Sequence, residues 1–139
     1  MEYEYLEHTA DLKFRAYGKT KKELIENSGK ALCNAIVDLK EIETKGKAVI
    51  EINAENFGEA LFEFLKEVLY AIDSQEIIFS GFKVKELKEN KRVYIKAEAS
   101  GEKINLDKHE IKTEIKAVTK HGFKVEKKDE WTAEVLVDV

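Results

Sequence analysis

Apolar positions along this chain repeat with two periods, and the changes between them outline the elements. Residues 2–8 read as a short strand. Residues 11–17 read as another, with Leu12, Phe14 and Ala16 facing one way and Asp11, Lys13 and Arg15 the other. Gly18 breaks the run. Thr20-Lys-Lys-Glu23 then has the form of a capping box. The helix it predicts runs to about Leu39, with Leu24, Ser28, Leu32, Ile36 and Leu39 on one stripe. Residues 47–53 alternate again and predict a strand. Asn56-Phe-Gly-Glu59 starts a second helix. Its face of Phe57, Ala60, Leu61, Phe64, Leu65, Val68, Leu69 and Ile72 is wide and fits packing on a sheet.

From Glu76 the period returns to two. Residues 77–87 and 92–99 predict strands joined by the turn-like Lys88-Glu-Asn-Lys91, and Ser100-Gly-Glu102 reads as a further turn. Residues 110–120 alternate Ile111, Thr113, Ile115, Ala117 and Thr119 against mostly charged neighbours, which predicts another strand. Residues 123–126 and 131–137 predict a hairpin around Lys127-Lys-Asp-Glu130. The expected fold is α+β: one compact domain over 1–139, with two helices packed on a mixed, largely antiparallel sheet system.

Composition narrows the function classes. The 139 residues are 43% hydrophobic and 37% charged, a globular balance. A net charge of −4 argues against bulk electrostatic binding of RNA or DNA. No run is apolar and long enough to span a bilayer, and no signal segment opens the chain, so the cytoplasm is the expected compartment. A single cysteine, Cys33, excludes an internal disulfide and a cysteine-based zinc site; its place in the first helix suits a small hydrophobe. The chain has no proline, one glutamine and lysine for nearly every cation, a usage resembling that of thermophiles, although a low-GC genome gives a similar lysine bias.

Candidate chemistry gathers near the two ends. Glu7-His8-Thr-Ala-Asp11 leads into one strand, and the last strand finishes on Asp138-Val139. Strand parity turns Asp138 away from the Trp131 face, as it turns Asp11 away from Phe14. If these strands pair, Asp11, Asp138 and a main-chain or terminal oxygen of Val139 can converge on one hard cation, Ca²⁺, Mg²⁺ or Mn²⁺. The plainer alternative is a solvated strand end. His8 and His121, with Lys116 upstream of His121, are candidates for a metal, phosphate or proton-transfer role, against an ordinary structural one. His109, in Asp107-Lys-His-Glu110, is expected at the surface. Walker A, G-x-G-x-x-G, H-E-x-x-H and G-x-S-x-G patterns are all missing.

The order and spacing of several elements resemble the archease family. They are His8-Thr-Ala-Asp11, the helix over residues 60–73, Gly101-Glu102, Ile115-Lys-Ala-Val-Thr-Lys-His121, Trp131-x-Ala133 and Asp138-Val139. Lys120 departs from the pattern, which more often has an aromatic there. The resemblance implies an accessory protein rather than a free-standing enzyme. Its partner would be the tRNA-splicing ligase, which uses GTP; the accessory promotes guanylylation and multiple turnover and broadens nucleotide use. Contact with tRNA would be indirect. The resemblance maps the family metal site onto Asp11, Asp138 and Val139, and on that reading a tail added after Val139 should disturb function. His8, Lys116 and His121 become candidate ligase or phosphate contacts. Two other classes remain: a metal-dependent phosphoester hydrolase acting alone, and a general chaperone or RNA-binding module.

Overall fold

The computed structural model describes residues 1–8 and 11–139. Seven strands and two helices follow in the order β1 (Tyr3–Leu6), β2 (Leu12–Gly18), α1 (Lys21–Ile36), β3 (Gly46–Ala54), α2 (Phe57–Gln75), β4 (Ile77–Glu89), β5 (Val93–Lys103), β6 (Ala117–Lys127) and β7 (Trp131–Asp138). They form two sheets. One has the order β1-β2-β7-β6, the other β3-β5-β4. Every neighbouring pair among the described residues is antiparallel, so the sheets are not mixed as the sequence suggested. No helix is long and apolar enough to cross a membrane.

Each helix touches both sheets. α1 lies against β2 and β4, and α2 against β3 and β6. This explains why α1 buries more than the stripe read from sequence. Leu24, Ser28, Leu32 and Ile36 are joined by Ile25, Gly29, Ala31, Cys33 and Ala35. Burial pushes the Cys33 thiol up to about 12, against a smaller lowering by a backbone hydrogen bond from Phe79, so it is not a ready nucleophile.

Both helix starts are fixed by side chains. Thr20 Oγ1 accepts the Glu23 N–H at 3.1 Å, and Glu23 accepts the Thr20 N–H in return. Asn56 Oδ1 accepts the Glu59 N–H at 2.9 Å. α1 ends at Ile36 rather than near Leu39. Val37 turns extended, and Asn34 Oδ1 accepts the Leu39 N–H as a short 3-10 helix, Leu39–Glu41, begins.

Two other expectations change. Ser100-Gly-Glu102 is not a turn, since β5 runs through it. Gly101 is there because β4 passes too close for a side chain: an added Cβ would sit 2.0 Å from the Ile78 carbonyl oxygen. Residues 110–116 are not a strand. Their alternation finds no ladder, and the segment is tied down singly, by the Lys112 N–H to the Ile36 carbonyl and the Glu110 N–H to Glu41. β6 starts at Ala117 and continues to Lys127, absorbing the first arm of the expected hairpin. Its register on β7 breaks between Thr119 and Lys124, where Gly122 takes φ 68°.

Candidate functional site at one end of the four-stranded sheet

The pairing of β2 with β7 decides where Asp11 and Asp138 lie relative to each other. Leu12 stands opposite Val137, Lys13 opposite Leu136 and Arg15 opposite Glu134. Asp11 and Asp138 are the next residues beyond this register, on the face that carries Lys13, Arg15, Leu136 and Glu134. The opposite face of β7 is buried through Ala133, Val135 and Val137, as strand parity requires.

The other side of Asp138 is closed by the start of β6. Ala117 is its register partner, and the Lys116 N–H donates to the Asp138 carbonyl at 2.7 Å. This fixes the backbone of the last strand and sets the exposed Lys116 beside it. His8, also exposed, lies two residues past Leu6, which pairs with Lys13, so it belongs to the same end of the sheet. Thr9 and Ala10 of the same polar cluster lie outside the described residues. His121 is exposed. It lies within the break in register, where the five-residue step from Thr119 to Lys124 faces only the two-residue step from Leu136 to Glu134 on β7. The structure thus places His8, Asp11, Lys116 and Asp138 at one sheet end and His121 in the irregular stretch of β6.

Charges further along the same face are satisfied among themselves. Arg15 donates to Glu134 Oε2 through Nε at 3.1 Å and Nη2 at 2.8 Å, and Lys13 reaches Glu134 Oε1 at 3.2 Å. Burial alone would raise the Glu134 carboxyl, but the two cations outweigh it and hold it below its ordinary value. Glu134 is therefore committed to its own pairs, and the two aspartates are the carboxylates at the sheet end. Among the described residues, no three His, Cys, Asp or Glu side chains come close enough to enclose a metal ion. The donors at this end are carboxylate and main-chain oxygens, which fit an open site for a hard cation rather than a closed zinc-type site.

Sequence reasoning missed a second polar cluster. His109 is not at the surface: it is 2% exposed. Its Nδ1 accepts the Asn105 N–H at 3.0 Å, so the ring proton sits on Nε2, which faces Glu102 Oε2 at 3.0 Å. The same carboxylate accepts the Glu43 N–H at 2.6 Å and Lys108 Nζ at 2.8 Å. These contacts pin the irregular segment after β5 to the sheet. The Glu43 amide first, then Lys108 and His109, pull the Glu102 carboxyl from 4.5 down to about 2. A depressed carboxyl stabilises the fold above its unfolded value and loses that contribution as pH falls towards the folded one. Glu102→Gln is therefore expected to flatten the loss of stability between pH 4.5 and about 2. Urea unfolding across that range checks this, and parallel curves for the two proteins would refute it. No short motif marks His109 as buried, although both ring partners, Asn105 and Glu102, lie within seven residues of it.

Fold and site together define a small α+β protein in which two antiparallel sheets share two helices and a pair of aspartates closes one sheet end. The model of the Archease protein family (MTH1598/TM1083) matches residues 3–139. A protein archease of Methanosarcina acetivorans is 42% identical, covering 99% of this chain and 95% of its own. That of Pyrococcus furiosus is 37% identical over 99% of both chains. The solution structure of Methanobacterium thermoautotrophicum protein 1598 superimposes with a TM-score of 0.85, at 28% identity and 99% coverage of both chains. The chain belongs to the archease family. A Thermotoga maritima archease, described as a possible chaperone, shares the fold with a TM-score of 0.62 at 22% identity, covering 96% of this chain and 94% of that one.

Proposed function

We propose that this protein is an accessory to a tRNA-splicing RNA ligase, promoting guanylylation of the ligase and its repeated turnover, and widening the nucleotides it uses. A divalent cation would be held by Asp11, Asp138 and a main-chain oxygen of Val139. Family membership supports the accessory role. The observation that carries the site is the β2–β7 register, which brings two aspartates distant in sequence to one end and one face of a sheet. When bound, such an ion supplies positive charge for phosphate oxygens.

The chain's own residues have separable tasks in this reading. Asp11 and Asp138 bind the cation. The Lys116 amide holds the Asp138 main chain in place, while the exposed Lys116 side chain would meet phosphate. His8 lies at the same end and is a second contact for the partner. His121, in the irregular stretch of β6, would be a further contact for that partner. An open site with two carboxylates leaves coordination positions for water or for groups of the ligase. That openness suits a transient complex better than a self-sufficient hydrolase, which ordinarily needs more protein ligands.

Two measurements test the proposal. Calorimetric titration of the protein with Ca²⁺, Mg²⁺ and Mn²⁺ should show binding that Asp11→Ala or Asp138→Ala weakens roughly tenfold or more. In a ligation assay using RNA halves with a 2′,3′-cyclic phosphate and a 5′-hydroxyl, the same variants should leave the ligase near single turnover. Full activation by both variants would sink the metal reading. Phosphoester turnover by this protein alone with a divalent ion would instead favour the hydrolase.

A further inference from the structure

The three-stranded sheet has an open end where β3 and β4 begin and β5 finishes. A pocket of about 490 Å³ lies there, away from the strands that carry Asp11 and Asp138. Its apolar surface comes from the half-buried Ala48, Ile77 and Ile104, with the buried Phe79 beneath them. Gly46 and Gly101, partners in the β3–β5 register, also line it and add no side chains. Its lining is mostly apolar with a few polar groups, as in small-molecule sites.

Charge around this floor is unbalanced. Lys45, Lys47, Lys103 and Lys108 line the pocket, with Glu102 the one carboxylate among them. Glu102 is already engaged by the Glu43 amide, Lys108 and His109. Lys47 is paired with Glu98 at 3.1 Å. Lys45 reaches Glu43 and Glu102 only at 3.7 Å. Lys103 has no acidic partner within 4.0 Å among the described residues. Two lightly committed ammonium groups therefore flank an apolar floor. A bare inorganic anion would satisfy the first feature and leave the second wet, while a neutral ring would do the reverse.

We propose that this pocket binds a small organic anion, with a ring-bearing body on Ile77 and Ile104 and a phosphate or carboxylate between Lys45 and Lys103. Charge and ring act together here, because the apolar wall lowers the local dielectric and strengthens the ion pair. Lys103 lies on the same face of β5 as Gly101, which turns its side chain to the pocket's side of the strand.

The test titrates the full-length protein with AMP and with indole-3-acetate as ring-bearing anions, and with adenosine and inorganic phosphate as their separated halves. Amide NMR shifts and calorimetry report the site. Saturable binding of at least one ring-bearing anion is expected, with shifts centred on residues 45–48 and 101–105. Adenosine and phosphate should each bind roughly tenfold more weakly or less. Lys103→Glu, at an exposed position, should weaken binding of the anion roughly tenfold. Gly46→Leu, which adds a side chain where an added Cβ meets nothing within 4 Å, should also reduce it. Preference for AMP marks a phosphate site, and preference for indole-3-acetate a carboxylate site. Absence of saturable binding by both anions in the low millimolar range overturns the proposal. So does phosphate binding as tightly as AMP, or affinity that survives Lys103→Glu in a protein with native amide spectra.

Discussion

Replacing Gly101 by alanine should cost about 3 kcal/mol or more, at the upper end of what overpacking does. The added methyl would stand 2.0 Å from the Ile78 carbonyl oxygen and 2.7 Å from the Phe79 Cα. Both are backbone atoms of β4, so no side-chain rotation relieves the clash. The strands would have to separate where β4 already carries an irregularity between Phe79 and Gly81. Gly46 is the internal control. It pairs with Gly101 across β3–β5, yet a Cβ there meets nothing within 4 Å. Gly46→Ala should be neutral or stabilise by about 0.5 kcal/mol, since it restricts the unfolded chain. Thermal unfolding of the two variants should differ by roughly 10 °C. Equal midpoints would show that β4 and β5 are not held this closely.

Phe64→Ala should also cost about 3–5 kcal/mol, for a different reason: it opens a cavity. Phe64 is fully buried on α2, edge-on to Phe82 of β4 with ring centroids 5.7 Å apart. Phe82 in turn packs on Phe79 at 5.7 Å and fills the space left by Gly29 of α1. One aromatic group thus joins both helices to the three-stranded sheet. Removing Phe64 leaves Phe82 unsupported, and Gly29 offers no side chain to move in. Phe64→Leu keeps most of the volume and should cost less than about 1.5 kcal/mol. Urea unfolding of both variants measures the difference. A loss below about 1 kcal/mol for the alanine variant would mean that the core collapses around the gap.

Local signals were legible where a residue's neighbours in sequence decide its state. Thr20 and Asn56 cap helices because the amides they accept lie three residues away. The α2 stripe and the parity of β2 and β7 also survive into the structure. The readings that failed depended on distant partners. Gly101 looked like a turn residue because glycine serves two purposes, and only the passing of β4 shows that close approach is the one in use. The alternation over residues 110–116 looked like a strand, but its amides are held singly, by the Ile36 carbonyl and Glu41, rather than by a ladder. His109 is the exception: its ring partners, Asn105 and Glu102, are near in sequence, and its charged neighbours Lys108 and Glu110 made it look like a surface residue.

For the candidate site, sequence by itself determined the donor chemistry: two aspartates, each on the solvent side of its strand, because side chains alternate with period two. It also determined the helices and the family pattern. Tertiary structure alone decided that β2 and β7 are neighbours, so that residues 127 positions apart in number share one sheet end. It also decided that Lys116 braces Asp138, that His121 falls in a break of the β6 register, and that a lysine-rimmed pocket opens on the other sheet. Strand pairing joins backbone groups that carry no residue-specific mark, so sequence patterns fix a strand's faces but not its neighbour.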